Sequence, residues 1–116
     1  MSYPSLEELN LLQANLCRAL SDPKRILILY VLFDRPRHAT ALAERLNIPQ
    51  PTVSRHLRRL EQHALVCSER DGQTVVYSIT NPRIMELLDL MREVRFDALS
   101  QQSSVLTRGS RVTKAV

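Results

Sequence analysis

A chain of 116 residues, 44% of them hydrophobic, is the length of one domain and carries enough apolar matter for one modest core. The formal charge is +4, from 16 Lys+Arg against 12 Asp+Glu, but Arg108, Arg111 and Lys114 follow Ser100 without an acid, so residues 1–99 hold 13 basic groups against 12 acidic. Bulk charge therefore does not draw this chain to phosphates; only local clustering would. No apolar run approaches the roughly 18–20 residues of a membrane span, and the charged-then-apolar pattern of a leader is missing, so a cytoplasmic protein with reduced Cys17 and Cys67 is expected.

In chain order, Leu6, Leu9, Leu12, Leu16 and Leu20 recur at steps of three and four, which predicts a first amphipathic helix over 6–20. Ser21-Asp22-Pro23 ends it and starts the next. Asp22 can accept free backbone N–H groups of a new helix, and Pro23 suits its first position, where no donor is needed. The second helix runs through the apolar stretch Ile26–Phe33 until Asp34-Arg35-Pro36 breaks it. A third helix is predicted over 39–46 with Leu42, Ala43 and Leu46 inward, then a turn at Asn47-Ile48-Pro49, then a fourth helix from about Gln50 to His63.

That fourth helix sorts its side chains. Turning 100° per residue from Val53, Leu57, Leu60 and Ala64 fall within about 40°, whereas Arg55, Arg58, Arg59 and Gln62 fall roughly 140–240° away. One side is built to dock on a core and the other to face outward with arginines; His56 lies at the border, between a structural place at a helix junction and a DNA contact. Leu65–Ser68 and Thr74–Ile79 follow as β-rich runs joined around Asp71-Gly72, a hairpin with Arg70 and Gln73 at its tip. Asn81-Pro82 starts a last helix with Ile84, Leu87, Leu88, Met91, Val94 and Leu99 on a broad apolar face, Met91 being expected in the core. Residues 1–99 are thus predicted as one domain, and 100–116 as a disordered basic tail.

Helix, turn, arginine-faced helix and hairpin, in that order, make a winged helix-turn-helix: a mainly α fold with a β-hairpin wing, suited to placing one helix in a DNA groove. A domain this small is not expected to cover both its first and last helices, so these should meet in a second copy. The competing reading is a winged-helix protein-interaction module that has lost DNA binding, since fold does not dictate function. Intact arginines on the outward face and on the wing argue against it. An enzyme is not expected: the chain has two glycines, no phosphate-cradling loop and no convergent acid–base set.

The segments LCRALSDPKRILILYVL and LAERLNIPQPTVSRHLRRLEQHALV, with the hairpin ending in VVYSI, closely resemble the ArsR/SmtB family of bacterial winged-helix repressors. The resemblance implies a homodimer joined through its terminal helices that binds an imperfect palindrome in double-stranded DNA and leaves it when an inducer, not identifiable from the sequence, alters the dimer. Two recognition helices would then lie one DNA turn apart, roughly 34–36 Å. The family's base-reading positions carry over to Gln50, Thr52, Ser54 and Arg55; face and position make Arg58, Arg59, Arg70 and Gln73 phosphate contacts. Arg55 is the foremost base reader, because a guanidinium donates two parallel bonds to guanine O6 and N7. Pro49 departs from the family, where a capping serine is common, and the lost cap should cost about 1 kcal/mol.

Family members that sense metals often carry a Cys-x-Cys pair on the third helix or Asp and His ligands on the last. Here Arg37-His38-Ala39-Thr40-Ala41 offers no thiolate, Asp89 is followed two residues on by Met91 rather than histidine, and later ligand positions fall on Gln102 and Val105. No metal and no cofactor is therefore expected. Asp89, Glu93 and Asp97 form an acidic row that reads as a solvated face partnered by Arg92 and Arg95. Cys17 and Cys67 remain as candidate thiol sensors, weighed against a purely structural place; only Cys17, beside Arg18, has a positive neighbour.

Overall fold

A computed structural model describes residues 2–108, with side chains through residue 102. The elements are α1 (Leu6–Leu12), a turn of π-helix (Gln13–Cys17), α2 (Pro23–Asp34), β1 (Arg37–His38), α3 (Ala39–Leu46), α4 (Gln50–Gln62), β2 (Val66–Asp71), β3 (Thr74–Ile79) and α5 (Arg83–Arg108). The chain divides into two compact units, one closing at Pro82 and the other beginning at Arg83.

In the first unit each helix start obeys local chemistry. Ser5 Oγ accepts from the Glu8 N–H at 3.1 Å to cap α1, and Asp22 Oδ1 accepts from the Lys24 N–H at 2.8 Å to cap α2 ahead of Pro23. The core gathers Ile28, Leu29 and Leu32 of α2, Leu42 of α3, and Val53, Leu57 and Leu60 of α4, with Leu65 and Val66 leading into the wing. Leu6, Leu9, Leu11 and Leu12 of α1 stay exposed in the single chain.

The sheet has three strands, not two. Its order is β1-β3-β2, all antiparallel, with Arg37 opposite Tyr77 and His38 opposite Val76. A two-residue strand leaves no alternation to read, so the sequence pattern shows only the hairpin; the extended backbone at Arg35, ahead of Pro36, delivers the chain to the β3 edge. The hairpin loop is Gly72-Gln73, with Asp71 opposite Thr74. Gly72 holds φ +66 while Gln73 does not turn positive, the pattern of a type II′ turn, whose right-handed twist suits the strands it joins.

Two other residues take left-handed backbone. Asn47 (φ 54) ends α3, where the Ile48 N–H reaches the Ala43 carbonyl at 3.1 Å, and Ala64 (φ 60) ends α4, where the Leu65 N–H reaches the Leu60 carbonyl at 3.0 Å. Ala64 is therefore not the fourth residue of the buried helix face: the helix stops at Gln62 and Ala64 is exposed. An alanine here bears left-handed strain without packing in return. Ala64→Gly is expected to raise stability by about 0.5–1 kcal/mol, strain relief exceeding the added freedom of the unfolded chain; an unchanged or lower denaturation midpoint would contradict that.

In the second unit α5 runs without a break through the position of the expected tail, to Arg108. No proline or glycine interrupts the sequence between Leu99 and Gly109, and Gln101, Gln102 and Leu106 are good helix formers, which is why the polar composition did not end the helix. The boundary expected at residue 99 falls within α5, and residues 109–116 of the expected tail lie outside the described residues. Leu87, Leu90, Met91, Val94, Phe96 and Leu99 are exposed on α5, so Met91 is not a core residue of the single chain.

Candidate nucleic-acid interface

The turn before α4 sets where this arginine-rich helix begins. Asn47 adopts the backbone that a β-branched residue would resist, Pro49 occupies the N-cap position at φ −55, ψ 137, and α4 starts at Gln50. No side chain caps α4, yet the cost expected from a lost cap is offset. A cap serves the N–H groups of the second and third helical residues; the second is Pro51, which has none, and the Thr52 N–H is already held by the Pro49 carbonyl at 3.0 Å.

On the inner side Val53, Leu57 and Leu60 are fully buried, and α4 packs against α2, α3 and β2. Gln50, Arg55, Arg58 and Arg59 are exposed, while Thr52 and Ser54 are half-buried at the N-terminal end of the same helix. Among the described residues Arg55, Arg58, Arg59 and Arg70 form no ion pair. Four guanidinium groups without a carboxylate partner form a surface ready for an external anion.

The wing carries its charges by face. Partners across an antiparallel pair share a face, so Val66, Ser68 and Arg70 lie with Ile79, Tyr77 and Val75, and Cys67, Glu69 and Asp71 lie on the other side. The first face is the one toward α4, because Val66 is buried and Ser68 Oγ donates to Glu61 Oε2 of α4 at 2.7 Å. Alternation thus brings Arg70 to the α4 side and turns Glu69 and Asp71 away from it. Gln73 is in the loop itself, with Arg70 set back one rung of the ladder from the Asp71–Thr74 pair.

The family model described as "Bacterial regulatory protein, arsR family" matches residues 22–68, from the α2 cap into the wing. Rv0081 of Mycobacterium tuberculosis, named as an HTH-type transcriptional regulator, is 35% identical over 101 residues, covering 86% of this chain and 89% of its own length. The chain belongs to the arsR family. The crystal structure of Rv0081 superposes with a TM-score of 0.73 at 33% identity, over 88% of this chain and 99% of that one. The arsR-family chain is also 38% identical over 71 residues to the M. tuberculosis regulator KmtR, covering 61% of itself and spanning 55% of KmtR's length. A solution structure of Mb0332 from Mycobacterium bovis, described as a homodimeric winged helix-turn-helix DNA-binding domain, matches with a TM-score of 0.71 at 27% identity, over 87% of this chain and 95% of that one. The fold of the arsR-family chain is a winged helix-turn-helix.

Of the residues expected at the DNA, His56 is placed otherwise. The residue is 6% exposed and its ring faces α2, with Nδ1 3.4 Å from Arg25 Nη1 and Nε2 3.8 Å from Asp22 Oδ2. The border position on the helix wheel left both directions open; the contacts to α2 decide for the inside. Arg25 itself has no place among the residues singled out from sequence, although it stands in the Ser-Asp-Pro-Lys-Arg run of the resemblance. Its Nε donates to the Ala19 carbonyl at 2.7 Å and its Nη2 to the Arg18 carbonyl at 3.1 Å. Glu61 and Ser68, which tie α4 to the wing, also escaped sequence reading, because the pair is a contact between elements.

Both thiols are free and exposed, so neither cysteine is buried structural packing in the single chain. Cys67 Sγ lies 3.3 Å from Ser78 Oγ on the wing face that points away from α4. Among the described residues no three His, Cys, Asp or Glu side chains converge on one point. In the acidic row of α5, Asp89 lies 3.7 Å from Arg92.

Proposed function

We propose that the chain is a homodimeric, sequence-specific DNA-binding repressor that reads an imperfect palindrome with α4 and leaves it when an inducer alters the dimer. The carrying observation is the outward face of α4, where Arg55, Arg58 and Arg59 are exposed and unpaired by carboxylates while the opposite face is fully buried. Base reading falls to Gln50, Thr52, Ser54 and Arg55 at the N-terminal half of the helix, and phosphate contact to Arg58, Arg59, Arg70 and Gln73. Exposed apolar rows on α1 and on α5 support the second copy, as an unpaired row of this kind marks an interaction surface. No described helix is long and apolar enough to cross a membrane, and the place of action proposed is the cytoplasm, at the chromosome.

Counterion release tests this reading. With three arginine–phosphate contacts per protomer, the logarithm of the affinity for DNA from upstream of its own gene should fall against the logarithm of salt with a slope of about −5. A flat dependence, or equal affinity for scrambled duplex at all salt concentrations, would refute sequence-specific DNA binding.

A further inference from the structure

We propose that Arg25 and His56 are positioning residues for DNA recognition: they lock α4 to the end of the first helical segment, and the lock holds only while His56 is neutral. This rests on the DNA-binding reading above. One guanidinium reaches three places at once. It closes the carbonyls of Arg18 and Ala19 at the end of the first helical segment, approaches Ser21 Oγ at 3.4 Å in the connection, and meets His56 Nδ1 of α4 at 3.4 Å. The segment so held is continuous with the exposed leucine row of α1, whereas His56 stands next to Arg55 on the recognition helix.

Arginine only donates, so His56 Nδ1 must accept and the ring proton must sit on Nε2, which faces Asp22 Oδ2 at 3.8 Å. That is the neutral imidazole in one tautomer. A second proton could enter only at Nδ1, removing the lone pair that accepts from Arg25 and setting two cations against each other. The charged groups acting on the ring are Asp22 at the cap of α2, Lys24 and Arg25 on α2, and Arg55 on its own helix. Burial first, then Arg25, Arg55 and Lys24, hold the His56 pKa below 6.5, against the pull of Asp22. With the folded-state pKa depressed, the stabilisation is complete above the ordinary value of 6.5 and is lost as pH falls through the lowered one.

The test is a titration of duplex DNA from upstream of the protein's own gene, at constant salt, from about pH 8 to about pH 5.5, across the histidine range. The parent is expected to bind at the alkaline end and to lose about tenfold more affinity on acidification than His56→Gln, whose amide oxygen accepts from Arg25 and whose amide nitrogen donates to Asp22 without titrating. His56→Leu fills the space with no acceptor and is expected to bind about tenfold more weakly than the parent at pH 8 with its helical circular dichroism retained. Should His56→Leu fail to fold, His56→Gln decides alone. Parallel pH profiles for the parent and His56→Gln, weak binding of His56→Gln at pH 8, or full binding by folded His56→Leu would each overturn the proposal. Failure of the parent to bind at pH 8 would instead strike the DNA-binding reading itself.

Discussion

Leu57→Ala is expected to lower the unfolding free energy by about 2–5 kcal/mol, the range for truncating a fully buried leucine whose surroundings cannot collapse to fill the space. Leu57 has no exposed surface, and neither do its neighbours on the same face of α4, Val53 and Leu60. Ile28 and Leu29 of α2 and Leu42 of α3 are equally closed to water, so the cavity would open where three helices meet. A domain of this size has about 5–15 kcal/mol in all, so the loss takes a large share of it. Chemical denaturation checks the prediction: the midpoint should fall with the slope unchanged, since the surface exposed on unfolding is nearly the same. An unmoved midpoint would mean that α4 is not anchored by this face, and the outward direction of its arginines would lose its physical basis.

Arg55→Ala is expected to weaken binding to the cognate operator by about 1–3 kcal/mol and to relax sequence preference, while Arg59→Ala weakens binding to all sequences alike. The two side chains are both exposed and both cationic, so bulk electrostatics would predict equal effects. Position separates them. Arg55 lies in the N-terminal half of α4, the half that helix-turn-helix proteins direct at base edges, and Arg59 lies in its last turn, nearer the backbone. A mobility-shift titration of both variants on operator and on scrambled duplex reads the difference directly. Equal losses on the two duplexes for Arg55→Ala would reassign that side chain to phosphate contact.

Much of the fold is local and was therefore legible before any coordinates. Asp22-Pro23 starts a helix because capping and a pre-set φ act within one turn of chain, and Gly72 bends a hairpin because only its own backbone has to tolerate φ +66. The two faces of α4 were legible for the same reason: a 3.6-residue period sends Val53, Leu57 and Leu60 to one side and the arginines to the other, whatever they later meet. Helix α5 passes the polar residues after Leu99 because nothing before Gly109 breaks a helix.

What the amino-acid sequence determined by itself was the order of the helices and the hairpin, the starts of α2 and α4, and which side of α4 carries charge, since each depends on residues a few positions apart. Only the tertiary structure decided that His56 turns inward, that Arg25 joins three segments, that Arg37-His38 adds a third strand, and that both thiols stand open. Arg25 and His56 meet across 31 positions of sequence, and Arg37 and Tyr77 pair across the sheet. Contacts at such separations leave no periodic trace in the chain and exist only once packing has brought the segments together.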